Sequence, residues 1–373
     1  MTGLCFEQRV AAFHRWRCAP LGEVLGQGRY GLVRRCGESG VAKVIDLAKK
    51  SRGSRRQAFR EHVVGVLQSI LLVRRVTPHL PFHYGSRTSL CELGGMGFVL
   101  FMERFEGNLQ ELAKEVLGAP RDWVCMAFQV LHGCLALALS FGIVSNDLYP
   151  RNVLVRRLPK DASSSSRALT YLVDGVPYVL PQVSFLAATT DYGVASGQLV
   201  GAAEVPEVFA KTEKVRREGT GFALVPPTAH VLQYDPPLPP FSRDPYALLK
   251  WLCYGQRGLP PTPLPVRLWA LDAMTHMDGR LQDFRDPEAQ ATLFHHLFHR
   301  DNLKRFGLAE ALGGPTFQEG HGDGFVFVLD PSDRDAVRAA GVEALGSLRA
   351  GEAEWVEALR DFRKNRDKSK PDV

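Results

Sequence analysis

The stretch Ser-Asn-Asp-Leu-Tyr-Pro-Arg-Asn at residues 145–152 leads directly into the apolar run Val-Leu-Val at residues 153–155. Asp147 and Asn152 lie in a loop that we expect between an apolar helix and a short strand. At this spacing a carboxylate can accept the proton of a substrate hydroxyl, while the amide oxygen can bind a metal ion. Short strings of this kind are common, so the loop needs support from elsewhere in the chain.

A glycine-rich stretch, Gly-Gln-Gly-Arg-Tyr-Gly-Leu-Val, occupies residues 26–33. Gly26, Gly28 and Gly31 lack a Cβ, which lets a strand–turn–strand backbone close over phosphate groups. A Rossmann loop has the same glycine spacing but enters a helix, whereas here β-type residues follow Gly31. The stretch therefore favours a phosphate-covering loop between two strands.

Lys43 follows Val-Ala on a predicted third strand. A lysine at this place can bind the α- and β-phosphates of a nucleotide if a carboxylate holds it. Glu61 is the only acidic residue between Asp46 and Glu92, and it lies on a helix predicted at residues 53–76. We therefore predict a Lys43–Glu61 ion pair.

A fourth element, Thr-Asp-Tyr-Gly, occupies residues 190–193. Asp191 in this element can bridge Mg²⁺ to nucleotide phosphates. Each of the four elements could arise by chance when taken alone. Their order along the chain, each on the expected type of element, indicates phosphoryl-transfer chemistry.

Together these elements resemble the eukaryotic-type protein kinase superfamily over about residues 21–252. The resemblance implies an α+β, bilobal protein kinase-like fold. It places an N-terminal extension at residues 1–20, a β-rich N-lobe at 21–103 and a mostly helical C-lobe at 104–373. The implied activity is that of an ATP-dependent protein kinase that uses Mg²⁺ and acts on a protein substrate.

The resemblance also implies roles for individual residues. Asp147, Lys43 and Glu61 would be catalytic, and Asn152 and Asp191 would bind the metal. In the adenine slot, Met102 would be the gatekeeper and Glu103 would begin the hinge. Asp244 resembles the buried aspartate that braces the catalytic loop. The implied nucleotide-binding residues are Leu25, Gly26, Gly28, Gly31, Val33, Ala42, Lys43, Met102, Glu103 and Leu154.

A narrower resemblance concerns the segment before Asp191, which lies 39 positions after Asn152. This interval carries an insert at residues 156–184, and its predicted hairpin is similar to one in serine/threonine kinases of large DNA viruses. That similarity implies a Ser/Thr acceptor and an intracellular protein, in the cytoplasm or nucleus of an infected host cell. Tyr149 and Arg151 leave a tyrosine acceptor open.

Two features depart from the kinase pattern. Ser145 and Asn146 replace the His-Arg pair whose arginine binds a phosphate on the activation segment. No Ala-Pro-Glu follows Asp191 before Asp244. We therefore expect a kinase that is assembled constitutively or controlled by a partner.

Composition limits the possible partners and the cellular compartment of the protein. Hydrophobic residues make up 45% of the 373-residue chain, and the net charge of +6 is too small to indicate a nucleic-acid partner. Seven scattered cysteines without metal-like spacing fit a reducing compartment. The apolar stretch at residues 124–144 is long enough to span a membrane, but we expect a buried core helix. The oligomeric state is left open.

Two other functions remain compatible with the sequence. One is a pseudokinase scaffold that binds a nucleotide or a partner without efficient catalysis, which the two departures favour. The other is a small-molecule kinase of the aminoglycoside or choline type, which shares the Asp-to-Asn spacing. The retained phosphoryl-transfer residues argue against a scaffold, and Tyr30 at the tip of a complete glycine loop favours a protein kinase.

Overall fold

The computed structural model describes most of the chain between residues 6 and 346. The described ranges are 6–27, 31–46, 52–90, 96–158, 169–180, 184–197, 238–312 and 326–346. Gly28, the polar run at residues 163–166, and most of the proline-rich stretch that ends at Pro240 lie outside these ranges.

A five-stranded antiparallel sheet dominates the first hundred residues. Its strands are β1 Leu21–Gln27, β2 Leu32–Cys36, β3 Gly40–Asp46, β4 His83–Leu90 and β5 Met96–Glu103. They lie in the order β1-β2-β3-β5-β4. Gly37 lies in the tight turn between β2 and β3, with φ of 68°, a conformation that glycine adopts without strain. The predicted strand–turn–strand–turn–strand order is confirmed.

Helix α2, Arg52–Val73, packs against this sheet and confirms the helix predicted there. Its apolar residues Val63, Val64, Leu67 and Leu71 are buried at helical spacing. Gly65 lies so close to β4 that a Cβ would approach the ring of His83 to 2.7 Å. The close contact of α2 with the sheet fixes the position of Glu61.

The later part of the described chain is mainly helical. Its helices are α3 Leu109–Val116, α4 Pro120–Phe141, α5 Arg243–Tyr254, α6 Leu264–Asp278, α7 Glu288–Phe298, α8 Arg300–Arg305 and α9 at residues 331–346. The fold is therefore mixed, with antiparallel sheets in the N-terminal half and helices later.

Helix α4 is the central helix of the hydrophobic core. Among the described residues it is the one helix long and apolar enough to cross a membrane by length and composition. Its most apolar window has a mean hydropathy of 1.9 and is entirely buried inside the protein. The predicted buried helix is confirmed, and α4 is no clear membrane span.

Small sheets lie among these helices. The short strands are β6 Gly107–Asn108, β7 Ile143–Val144, β8 Val153–Arg157, β9 Leu169–Val173, β10 Val176–Leu180, β11 Phe185–Thr189, β12 Ser196–Gly197 and β13 Val326–Leu329. Strands β9 and β10 form the hairpin predicted in the insert, and Asp174 and Gly175 at its turn both have positive φ, as such two-residue turns require.

The later part of the described chain is mainly helical, as expected, but it also contains the strand β13, which pairs in parallel with β9. The insert was placed from residue 156, whereas β8 continues to Arg157 and the Leu158 N–H donates to the Ser184 carbonyl. The described part of the insert is thus a hairpin packed against a C-terminal strand.

The predicted N-terminal extension contains helix α1, Phe6–Arg15, which no sequence pattern had indicated to us. Phe13 stacks on Phe82 with ring centroids 4.7 Å apart, and Phe6 contacts Phe327 edge-on at 5.0 Å. Helix α1 therefore packs against both the sheet region and β13.

Candidate active site

A cleft of about 840 Å³ separates the five-stranded sheet from the loops that follow α4. It brings together most of the residues predicted from the sequence. Those that line it are Leu25, Gly26, Val33, Lys43, Glu61, Met102, Glu103, Asp147, Asn152, Leu154 and Asp191.

Ala42 does not line the cleft, and the prediction for it was wrong. It is fully buried and packs in a cluster with Cys36, Val99 and Phe101. Because side chains alternate along a strand, Lys43 and Val41 face the cleft while Ala42 faces the opposite side of β3. Val41 therefore takes the place that we had assigned to Ala42.

Gly31 is placed beside the cleft rather than among its lining residues. A Cβ at this position would lie 2.3 Å from the carbonyl oxygen of Val44. Gly31 is thus required for the close approach of β2 to β3, whereas Gly26 has nothing within 4 Å of its ideal Cβ.

Lys43 joins two carboxylates at the centre of the cleft. Its Nζ lies 2.7 Å from both carboxylate oxygens of Glu61 and 3.0 Å from Oδ1 of Asp191. Burial alone would lower the pKa of Lys43, but the charges of Asp191 and Glu61 raise it above its ordinary value. Burial raises the pKa of Glu61, and the Lys43 ammonium opposes this effect. The predicted Lys43–Glu61 pair is present.

Asp244 holds the loop that carries Asp147 in place. The Asp244 carboxylate accepts hydrogen bonds from the main-chain N–H groups of Ser145, at 2.7 Å, and Asn146, at 3.0 Å. Burial raises the pKa of Asp244 to about 6, while these two donors favour its ionised form. The bracing role predicted for Asp244 is confirmed.

Asn152 and Asp147 of this loop are joined by two hydrogen bonds. Its Nδ2 donates to the Asp147 main-chain oxygen at 2.8 Å and to Oδ2 at 3.0 Å. Burial raises the pKa of Asp147 to about 6; the Asp191 charge adds to this effect, and Arg151 opposes it. Asp147 is therefore a carboxylate that ionises within reach of neutral pH, as a general base needs.

Asp191 is held by the short helical turn that follows it, Tyr192–Val194. Its φ of 62° is a left-handed conformation, which aspartate tolerates better than most residues. The Arg60 guanidinium donates to the Gly193 carbonyl, and the buried Tyr192 hydroxyl bonds to Thr189 at 2.6 Å. Helix α2 thus supports Asp191 as well as Lys43.

The linker at residues 103–106 has a hydrogen-bond pattern that sequence reasoning missed. The N–H groups of Glu103, Arg104 and Glu106 donate to the carbonyls of Phe82, Ser39 and Val155, respectively. Within the described chain, the main-chain N–H and carbonyl of Phe105 have no such partner, and Phe105 lines the cleft. This residue therefore offers one donor and one acceptor to a ligand.

The side chain of Glu103 does not take part in the cleft. It is buried, and its carboxylate is bonded by Arg9 at 2.8 Å and by Arg156 at 2.8 Å. Only the main chain of this predicted hinge residue is available to the cleft. No sequence signal marks Arg9 or Arg156 as its partners, since both lie far away along the chain.

No protein-family model and no curated protein matches this chain.

Arg151 and Tyr149 form the outer side of the cleft, next to Asp147. The Arg151 guanidinium lies 4.8 Å from the centre of the Tyr149 ring and 4.0 Å from Asp147 Oδ2. Its side chain is 61% exposed, so it can move toward an incoming anion at little cost. It is the cation nearest to Asp147 among the described contacts.

The donor set of the cleft fits Mg²⁺ bound together with phosphates. Asp191 contributes a carboxylate and Asn152 an amide oxygen, and the two loops are joined by the Thr190 N–H bond to the Asn152 carbonyl at 2.9 Å. Among the described residues no group of three or more His, Cys, Asp or Glu side chains forms a complete metal site. Such a sparse oxygen set is typical of Mg²⁺, which takes its remaining ligands from water and substrate phosphates.

Proposed function

We propose that this protein is an ATP-dependent protein kinase with a bilobal kinase-like fold. The observation that carries the proposal is the Lys43 ammonium, bonded to both Glu61 and Asp191 in the cleft that also holds Asp147 and Asn152. In phosphoryl transfer a protein contributes chiefly by positioning groups and neutralising charge, and this arrangement supplies both.

The inner end of the cleft supports binding of a purine base. Leu25, Val33 and Val41 lie on the sheet side, and Leu154 lies on β8 opposite them. An apolar slot of this kind favours an aromatic ring, and the N–H and carbonyl of Phe105, which have no main-chain partner within the described chain, would provide polar recognition of the base. Adenine presents a matching acceptor and donor on its own edge.

The middle of the cleft supports binding of the triphosphate. Lys43 supplies a fixed positive charge, and Gly26 leaves open space where a backbone can approach phosphate oxygens. Asp191 and Asn152 would hold Mg²⁺, which when bound neutralises charge on the phosphates. Because Lys43 is already paired with Asp191, the two groups that would meet the phosphates are placed together before the nucleotide arrives.

Asp147 would orient the hydroxyl of the acceptor and accept its proton. Its raised pKa, about 6, leaves it ionised at neutral pH but basic enough to take a proton during transfer. Asn152 holds the carboxylate in place, and Arg151 can neutralise charge on the transferred group. We propose a serine or threonine acceptor on the narrower resemblance of the insert hairpin.

A calorimetric titration of ATP with and without Mg²⁺ tests the nucleotide site. We expect Mg²⁺ to strengthen ATP binding to the wild-type protein, and Asp191→Asn to remove most of that effect. Asp283→Asn, an exposed aspartate remote from the cleft, serves as a matched control. No binding of ATP by the folded wild-type protein would refute the proposal.

The acceptor class needs a separate test. Wild-type protein is supplied with γ-labelled ATP and either a mixed protein panel or a panel of sugars and amino alcohols. Labelled protein supports the protein kinase, and labelled small molecules would support the small-molecule kinase instead. ATP binding without any transfer would favour the pseudokinase scaffold.

A further inference from the structure

Helix α1 carries a charged residue into the interior of the protein. The Arg9 side chain is only 1% exposed, although guanidinium groups are strongly hydrated when free. A buried cation is destabilising unless hydrogen bonds and an opposite charge replace its water. The partners of Arg9 therefore indicate what its burial achieves.

The Arg9 guanidinium donates four hydrogen bonds to buried partners. Its Nε and Nη2 bind the two carboxylate oxygens of Glu103 at 2.8 and 2.9 Å. Its Nη1 donates to the Pro78 carbonyl, and Nη2 donates to the Leu80 carbonyl, each at 2.7 Å. A bidentate pair of this kind fixes orientation as well as distance.

Glu103 is held from a second side by Arg156 of β8. Nη1 of Arg156 bonds to Glu103 Oε1 at 2.8 Å, and its Nη2 bonds to the Arg104 carbonyl. The N–H of Phe82 also donates to Glu103 Oε2 at 3.2 Å. The first two residues of the linker are thus fixed between α1, β8 and the segment that enters β4.

Phe105 lies between the same two cations. Its ring centre is 5.8 Å from the Arg9 guanidinium and 4.5 Å from that of Arg156, and the ring packs against Leu186 and Ala188. Cation–π contacts of this kind are attractive and stronger where water is excluded. These contacts hold the ring of Phe105, a cleft-lining residue whose main-chain N–H and carbonyl have no main-chain partner within the described chain.

We propose that Arg9 is a positioning residue for nucleotide binding: through Glu103 and the Phe105 ring it orients the main-chain groups that recognise the base. This inference rests on the proposed function. Arg9 is not among the residues that line the cleft, and it acts on the cleft only through Glu103 and Phe105, which do line it. Helix α1 is accordingly part of the nucleotide-binding unit.

Arg9→Met tests the proposal, since methionine fills much of the same space without the charge. We expect the Kd for adenosine and for Mg²⁺-ATP to rise by the same factor, about tenfold, because the base is affected and the phosphates are not. The rate of transfer at saturating ATP should change less than about threefold. Lys43→Met should show the opposite pattern, weakening ATP but not adenosine.

Three controls separate positioning from simple destabilisation. Arg15→Met alters an exposed arginine on the same helix whose partner among the described contacts is the Ala11 carbonyl, and it should leave both affinities unchanged. Phe13→Leu weakens the packing of α1 on Phe82 without touching Arg9, and it should lower Tm but not nucleotide affinity. Arg9→Lys keeps the buried charge but cannot bond bidentately; it gives a folded variant with intermediate affinity if Arg9→Met does not fold.

Three outcomes would count against the inference. If Arg9→Met and Arg9→Lys bind adenosine as tightly as the wild type, the positioning role is refuted while the proposed function stands. If Phe13→Leu loses affinity as much as Arg9→Met at an equal loss of Tm, the effect is one of stability and the positioning role is again refuted. If the folded wild-type protein binds neither adenosine nor ATP, the proposed function and this inference both fail.

Discussion

The side-chain oxygen of Asn146 accepts a hydrogen bond from the guanidinium of Arg243 at 2.8 Å. The amide nitrogen of the same side chain donates to the Val194 carbonyl and to the Ser196 hydroxyl, at 3.2 and 2.9 Å. Asn146 therefore joins three segments: the loop before Asp147, the segment after Asp191 and the start of α5. An uncharged amide makes these contacts at the position where the kinase pattern has a phosphate-binding arginine.

We expect full activity without phosphorylation of the chain. The segment after Asp191 is already bonded to the loop that carries Asp147 through Asn146, so no phosphate is needed to bring the two together. Phosphatase-treated protein, checked by intact mass, should retain transfer activity within about twofold of untreated protein. Loss of most of the activity after treatment, restored by rephosphorylation, would contradict this account.

The rate of transfer should fall at acidic pH. Asp147 must be ionised to accept a proton, and burial raises its pKa to about 6. Below that value kcat/KM should decrease about tenfold for each pH unit, and above it the profile should level off. The measurement is kcat/KM between about pH 5 and pH 8, with nucleotide affinity determined at each pH as the control. A flat profile across this range would exclude Asp147 as the base.

Asp147→Asn should stabilise the folded protein at neutral pH while abolishing transfer. A carboxyl whose pKa is raised on folding binds its proton more tightly in the folded state, so its favourable contribution is present at low pH. That contribution is lost as the pH rises through about 6. In the absence of nucleotide, Asp147→Asn should therefore exceed the wild type by at most about 3 kcal/mol in the free energy of unfolding at pH 7.

Urea unfolding at a series of pH values checks this prediction. The difference between Asp147→Asn and the wild type should shrink as the pH falls from about 6 toward about 4. Asp283→Asn, an exposed control, should show no such trend. If the free energy of unfolding at neutral pH is higher for the wild type than for Asp147→Asn, the ionised Asp147 carboxylate does not destabilise the folded protein and the prediction is wrong.

Two glycines of the glycine-rich stretch should behave differently when each is changed to alanine. In Gly31→Ala the new Cβ would meet the Val44 carbonyl at 2.3 Å, so β2 or β3 must shift, at a cost of about 1–3 kcal/mol. Gly26→Ala meets no atom within 4 Å and should leave stability within about 0.5 kcal/mol of the wild type. If the stretch covers phosphates, Gly26→Ala should still weaken ATP binding.

Thermal unfolding and ATP titration of the two variants separate these effects. Gly31→Ala should lower Tm with or without nucleotide. Gly26→Ala should lower ATP affinity and leave adenosine affinity and the Tm of the free protein unchanged. Equal ATP affinity of Gly26→Ala and wild type would argue against phosphate binding at this loop.

The centre of the candidate site could be predicted from the sequence because its residues lie in short local patterns. Asp147 and Asn152 share one loop, and Lys43 had a single acidic candidate, Glu61, on the following helix. Local spacing is enough to predict both pairs, because neither depends on a contact between distant segments. Ala42 was misplaced for an equally local reason, since the alternation of side chains along β3 places Val41 in the cleft instead.

The features that sequence reasoning missed depend on contacts between distant segments. Arg9 and Glu103 are 94 positions apart, and nothing in a pattern of apolar and polar residues pairs them. Within the described chain the N–H groups of Glu103, Arg104 and Glu106 bond to Phe82, Ser39 and Val155, and the main-chain groups of Phe105 have no such partner, which a linear pattern does not reveal. Strand β13 had a β-type composition, but its partner β9 lies in the insert.

The central claim is tested most directly by transfer of a radiolabelled γ-phosphoryl group from Mg²⁺-ATP to a mixed protein panel. The account predicts labelled protein with the wild type, and a loss of at least about a thousandfold with both Asp147→Asn and Lys43→Met. Acid hydrolysis of the product should release phosphoserine or phosphothreonine. Equal labelling by all three proteins, or none by a wild type that still binds ATP, would contradict it.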